Sequence, residues 1–86
     1  MANTSQARKR ARQNETHRQH NAALRSRMRT FIKRVEHAIA AGDGDSARKA
    51  YGEAVPIIDK TANKGIIHRN KAARHKQRLN ARIRAL

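Results

Sequence analysis

An all-α fold, an antiparallel three-helix bundle with a long basic first helix projecting beyond it, is what this sequence predicts. Three observations carry that expectation. Ala, Arg and Lys, all strong helix formers, dominate the chain, and β-branched runs are almost absent. Apolar residues recur at spacings of three and four in three stretches, which keeps each set on one helical face. Between the stretches stand Gly42 and Gly65, placed where helices end in a left-handed residue.

The first bundle helix spans 24–41 and carries the stripe Leu24, Met28, Phe31, Val35, Ala38 and Ile39. Gly42 stops it, and Asp43-Gly44-Asp45 turns the chain. Asp43 or Asp45 then caps a second helix over 43–63, its carboxylate accepting from otherwise unpaired amides. The second stripe is Ala47, Tyr51, Ala54 and Ile58, with Ala62 closing the last turn. Pro56 falls inside it, removes one hydrogen bond and crowds the Gly52 carbonyl, so a bend is expected there. A bend is preferred to a break into two helices because the stripe stays in phase across the proline. Lys64-Gly65 ends this helix, and Ile66 and Ile67 plug the base of the bundle. A third helix, 67–86, lays Ala72, Leu79, Ile83 and Leu86 on one face.

Residues 1–23 form a basic overhang of the first helix within a single domain, 1–86. Counting back from Leu24, the in-phase positions are His20, His17 and Arg10, while Arg8, Lys9, Arg10 and Arg12 point all round the wheel. Such a segment has no apolar face to bury, so packing cannot hold it helical. It is expected to fray when free and to order against phosphate.

Charge is the strongest functional signal. Lys and Arg number 21 against six Asp and Glu, for a net charge of +15. Residues 1–34 carry +9, residues 35–63 carry −2 and residues 64–86 carry +8 with no acid. A near-neutral core between two cationic ends suits a polyanion, since phosphate neutralisation releases condensed counterions. On the third helix Arg82, Lys71, Arg78 and Arg74 form one continuous arc with nothing local to neutralise it. His68 and His75 flank this cluster as donors to phosphate or ribose. Only Phe31 and Tyr51 are aromatic, and both fall at core positions. Stacking on splayed bases is therefore disfavoured against recognition of backbone and shape.

Other chemistries find little support. Without Cys there is neither a disulfide nor a zinc knuckle. His17 and His20 lie one turn apart, but neighbouring Arg18 opposes a cation and no third ligand is well placed. No metal, cofactor or small-molecule substrate is expected. The acids scatter over turns and surfaces, and no nucleophile–base spacing or phosphate-binding glycine loop occurs, so no enzyme activity is expected. The start lacks the apolar region of a secretory signal, and no stretch approaches a membrane span. A cytoplasmic protein without a membrane partner is expected.

One run of residues is more specific than composition. Met1-Ala2-Asn3, Arg8-Lys9-Arg10, Asn21, and Arg25 to Phe31 leading into Ile32-Lys33 make up the first part. Ala41-Gly42-Asp43, Pro56-Ile57-Ile58-Asp59 and the continuous segment from Lys64 to Lys76 complete it. In this order, over essentially the whole chain, the sequence resembles the bacterial small-subunit ribosomal protein twenty family. Asp43-Gly44-Asp45-Ser46 departs from the family's Ala-rich start to the second helix, at a turn. The resemblance implies a three-helix bundle that binds the 5′ region of 16S ribosomal RNA directly during small-subunit assembly, one monomer per ribosome. It also implies the contact residues. In the first helix these are Arg8, Lys9, Arg10, Arg12, Arg18, Asn21, Arg25 and Arg29. Beyond it they are Lys64, His68, Arg69, Asn70, Lys71, Arg74, His75 and Lys76, to which the basic arc of the third helix adds Arg78 and Arg82. The residues alone reach only a helical polyanion binder, for which an architectural DNA-binding protein is the alternative.

Overall fold

The structure, a computed structural model, describes residues 4–86. The Met-Ala-Asn start invoked above lies outside the described residues. Three helices follow in order: α1 Ser5–Ala40, α2 Gly44–Asn63 and α3 Arg69–Arg84. Thr4 caps α1, its hydroxyl accepting from the Ala7 amide at 3.1 Å. Asp43, the first of the two candidate caps, starts α2 by accepting from the Ser46 amide at 3.1 Å and the Ser46 hydroxyl at 2.7 Å. The Ser46 hydroxyl and amide hold the Asp43 carboxyl below its ordinary pKa.

Both glycine stops have the same geometry. Gly42 (φ +72°) donates to Ile39 O while Asp43 donates to Ala38 O. Gly65 (φ +75°) donates to Ala62 O while Ile66 donates to Thr61 O. These paired bonds satisfy carbonyls that a helix end otherwise leaves open, and the left-handed φ is one that L side chains rarely adopt. Pro56 does not split α2, which runs unbroken from Gly44 to Asn63.

The core joins Met28, Ile32 and Val35 of α1 to Ala47, Ala54 and Ile58 of α2, Ile67 of the second turn, and Ala72, Leu79 and Ile83 of α3. Val35, Ala47, Ala54 and Ile58 are fully buried. Four expectations change in detail. On α1 the inward position is Ile32, and Phe31 lies half-buried on the flank. A 3-and-4 pattern admits either, because both are one turn from Met28 and from Val35. On α2 the last turn is closed by buried Thr61 rather than half-buried Ala62. The Thr61 hydroxyl donates to Ile57 O at 2.7 Å, so its burial leaves no unpaired polar group. Leu86 is 51% exposed, and α3 ends at Arg84, short of the expected 86. The third helix also begins at Arg69, because Ile66 and Ile67 are the buried plug that precedes it.

The overhang determines the shape. The molecule measures 59 × 21 × 16 Å, and a 36-residue helix is about 54 Å long at 1.5 Å per residue. The 20 residues of α2 span only about 30 Å, so the first half of α1 stands clear of the bundle. Among the described residues no helix is long and apolar enough to cross a membrane.

Candidate nucleic-acid interface

α1 and α3 each pack closely on α2 but meet one another only lightly. The open seam between them is a cleft of about 640 Å³. Arg25, Arg29 and Lys33 line it from α1, and Lys71 and His75 from α3. His68 stands at its lower end, Met28, Ile32, Ile66 and Ile67 form the floor, and Glu36 is the one acid on its wall. Lys71 is the member of the α3 basic arc that lies in this cleft, across from the basic flank of α1. Arg82 extends the seam upwards, lining a second hollow with Lys33, Glu36, His37 and Ala40.

His75 reports the field in this cleft. Its pKa is lowered, first by burial and then by the cations of Lys71 and Arg78, with Arg74 adding to them and Glu36 opposing. Burial first, and then the nearby cations, disfavour a further positive charge on this ring. A phosphate is the natural counter-charge.

His68 is held by local geometry. As the N-cap of α3, its Nδ1 accepts from the Asn70 amide at 3.1 Å. An accepting Nδ1 leaves the ring proton on Nε2, pointing a donor outward beside exposed Arg69 and Asn70. Lys64 occupies the C-cap of α2 and is exposed on the same turn.

The remaining expected contact residues divide. Arg74 and Arg78 are exposed on the outer edge of the α3 arc. Arg8, Lys9, Arg10 and Arg12 are exposed on the overhang, where Lys9, Arg12, Gln13, Thr16 and His17 line a shallow groove. Asn21 is half-buried. Three cations have partners within the chain. Arg18 pairs with Glu15 at 2.7 Å, Lys76 with Asp59 at 2.8 Å, and Arg25 donates to Ile66 O at 3.3 Å. Arg25 and Lys76 thus tie the bundle together, while the Arg18 pair is a local one on an exposed turn. Sequence reasoning missed Lys33 and Glu36 in the cleft. Their spacing from Arg29, four and seven residues, was the available signal.

Among the described residues no three His, Cys, Asp or Glu side chains gather as a metal site. The constellation offers cationic forks, imidazole donors and a shallow elongated surface.

Comparison with known proteins identifies the family. The family model described as Ribosomal protein S20 matches residues 2–84. Three relatives bear the name small ribosomal subunit protein bS20. That of Teredinibacter turnerae is 64% identical over 100% of this chain and 98% of its own. That of Acinetobacter baylyi is 65% identical, covering 100% and 97%. That of Thioalkalivibrio sulfidiphilus is 63% identical over 100% of both. With a family model spanning nearly its whole length and full-length relatives above 60% identity, this chain belongs to the ribosomal protein S20 family of the bacterial small ribosomal subunit.

Proposed function

We propose that this structural protein of the small ribosomal subunit binds 16S ribosomal RNA directly and stabilises its folded 5′ region during assembly. The observation that carries the reading is the juxtaposition of two acid-poor basic surfaces, α3 and the α1 flank, along one cleft. Arg29, Lys71, Arg74 and Arg78 supply charge and forked donors to phosphate oxygens, and His68 supplies a ring N–H. The overhang, about 25 Å of exposed helix, adds Arg8, Lys9, Arg10 and Arg12 at a distance from the cleft.

Contacts at the cleft and on the overhang act together. Once one is made, the continuous chain of α1 keeps the other at high effective concentration while the overhang orders, and neutralised charge lets RNA helices converge. One copy suffices, because the bundle closes its own core. Nothing in this role requires bond making or breaking.

The test is binding of a 16S 5′-region transcript across a salt series, with duplex DNA as competitor. If about six to ten phosphates are engaged, affinity falls by orders of magnitude between 50 and 200 mM salt. Reversing Arg74 and Arg78 to Glu should abolish most of the affinity with helicity retained. A nearly flat salt dependence, or equal preference for duplex DNA, contradicts the proposal.

A further inference from the structure

Arg27 and Arg34 both lie on the ring of Phe31, their guanidinium carbons 5.9 Å and 4.9 Å from its centroid. The arrangement follows from spacing: residues four before and three after an aromatic meet it on one face of a helix. This is not the flank that faces α3. At 3.6 residues per turn, positions 27 and 34 lie within about 20° of one another and roughly 150° from Arg29, which lines the cleft.

The chemistry resembles an anion receptor. Both arginines are exposed and the ring is half-buried, so the core fixes the ring and the ring fixes the guanidiniums. The three ion pairs among the described residues involve other cations, leaving Arg27 and Arg34 without a carboxylate. A guanidinium over a ring is attracted through the ring face, and with no carboxylate partner its N–H groups stay available to phosphate. Holding it there beforehand reduces the ordering cost of binding. The same helical line continues up the overhang through His20, Thr16 and Lys9, a run of about 37 Å to Arg34.

We propose that Arg27, Phe31 and Arg34 form a second phosphate-binding site, for a strand of RNA other than the one at the α1/α3 cleft. On this reading α1 lies between two RNA segments and is wetted by phosphate on both flanks. The inference rests on the RNA-binding function proposed above and adds the flank that neither the charge arc of α3 nor the cleft includes.

The experiment compares backbone footprints and salt dependence on the 16S 5′-region transcript, with thermal unfolding measured alongside. The R27Q/R34Q variant should lose at least roughly tenfold in affinity at physiological salt and lower the salt slope by about 2. It should also lose one set of backbone protections while keeping those that a K71Q/R74Q variant loses. F31L, which keeps an apolar plug but removes the ring, should fall between R27Q/R34Q and the unmodified protein. Wild-type affinity and slope in R27Q/R34Q would overturn the second site. So would loss of the same protections as in K71Q/R74Q, or an affinity loss matched by a fall in unfolding temperature. Failure of the unmodified protein to bind the transcript would instead remove the RNA-binding reading itself.

Discussion

Lys76 Nζ donates to the Asp59 carboxylate at 2.8 Å, joining α3 to α2. The backbone beside it is held as well, since the Tyr51 hydroxyl donates to Lys76 O at 3.3 Å. A cation in the middle of the basic segment is thus turned away from the cleft. It fastens the helix that carries the arc.

The Lys76 side chain is 32% exposed and that of Asp59 45%, so solvent screens much of their attraction. Lys76→Ala should cost about 0.5 kcal/mol of stability. It should lower RNA affinity less than Arg74→Ala, as read by urea unfolding and transcript binding. The reverse order of the two affinities would place Lys76 on the RNA.

Burial separates two apolar side chains that periodicity treats alike. Ile58 is fully buried, and Ile58→Ala should cost about 3 kcal/mol through lost transfer energy and a residual cavity. Phe31 is half-buried under two arginines, so Phe31→Ala should cost less, about 1.5 kcal/mol. Chemical denaturation of both variants checks this. A larger loss at Phe31 would mean the ring sits deeper than described.

If RNA phosphate enters the cleft, His75 should make binding depend on pH. In the free protein burial and then the Lys71 and Arg78 cations lower its pKa below the ordinary 6.5. The unfolded chain takes up that proton first, so the free bundle loses stability as pH falls below about 6.5. Phosphate placed in the cleft would offset those cations and favour the imidazolium, so a complex would bind the proton more tightly than the free protein. Affinity should therefore rise as pH falls from about 7.5 to 5.5. His75→Gln should reduce that rise, measured by transcript titrations at each pH. An unchanged slope would place phosphate away from this ring.

The overhang should behave differently from the bundle half of α1. Residues 8–20 are helical, but all are exposed and no other element packs on them. Local bonds such as Thr16 Oγ1 to Arg12 O and the Glu15–Arg18 pair are worth little against fraying. Amide exchange should be orders of magnitude faster at 8–20 than at 28–38 in the free protein, and slow on addition of the transcript. Strong protection before RNA is added would refute this.

Much of the fold was legible because its determinants are local. The stops at Gly42 and Gly65, the Asp43 cap and the three apolar stripes each depend on residues within a turn or two of one another. Errors arose where local pattern permits two answers. Phe31 and Ile32 are equally in phase, as are Thr61 and Ala62, and Leu86 continues a stripe past the last helical residue, Arg84. The cationic residues were legible as a set, since charge is a matter of composition.

Helix content, the turns and the polyanion-seeking charge follow from the chain alone, because spacing and side-chain chemistry act over a few residues. Packing assigned each cation its task. It set Arg29 beside Lys71, drew Arg25 onto the Ile66 carbonyl and turned Lys76 to Asp59. These pairs are 42, 41 and 17 residues apart, and such meetings are fixed by which helices touch, a relation with no signature in either partner's neighbours.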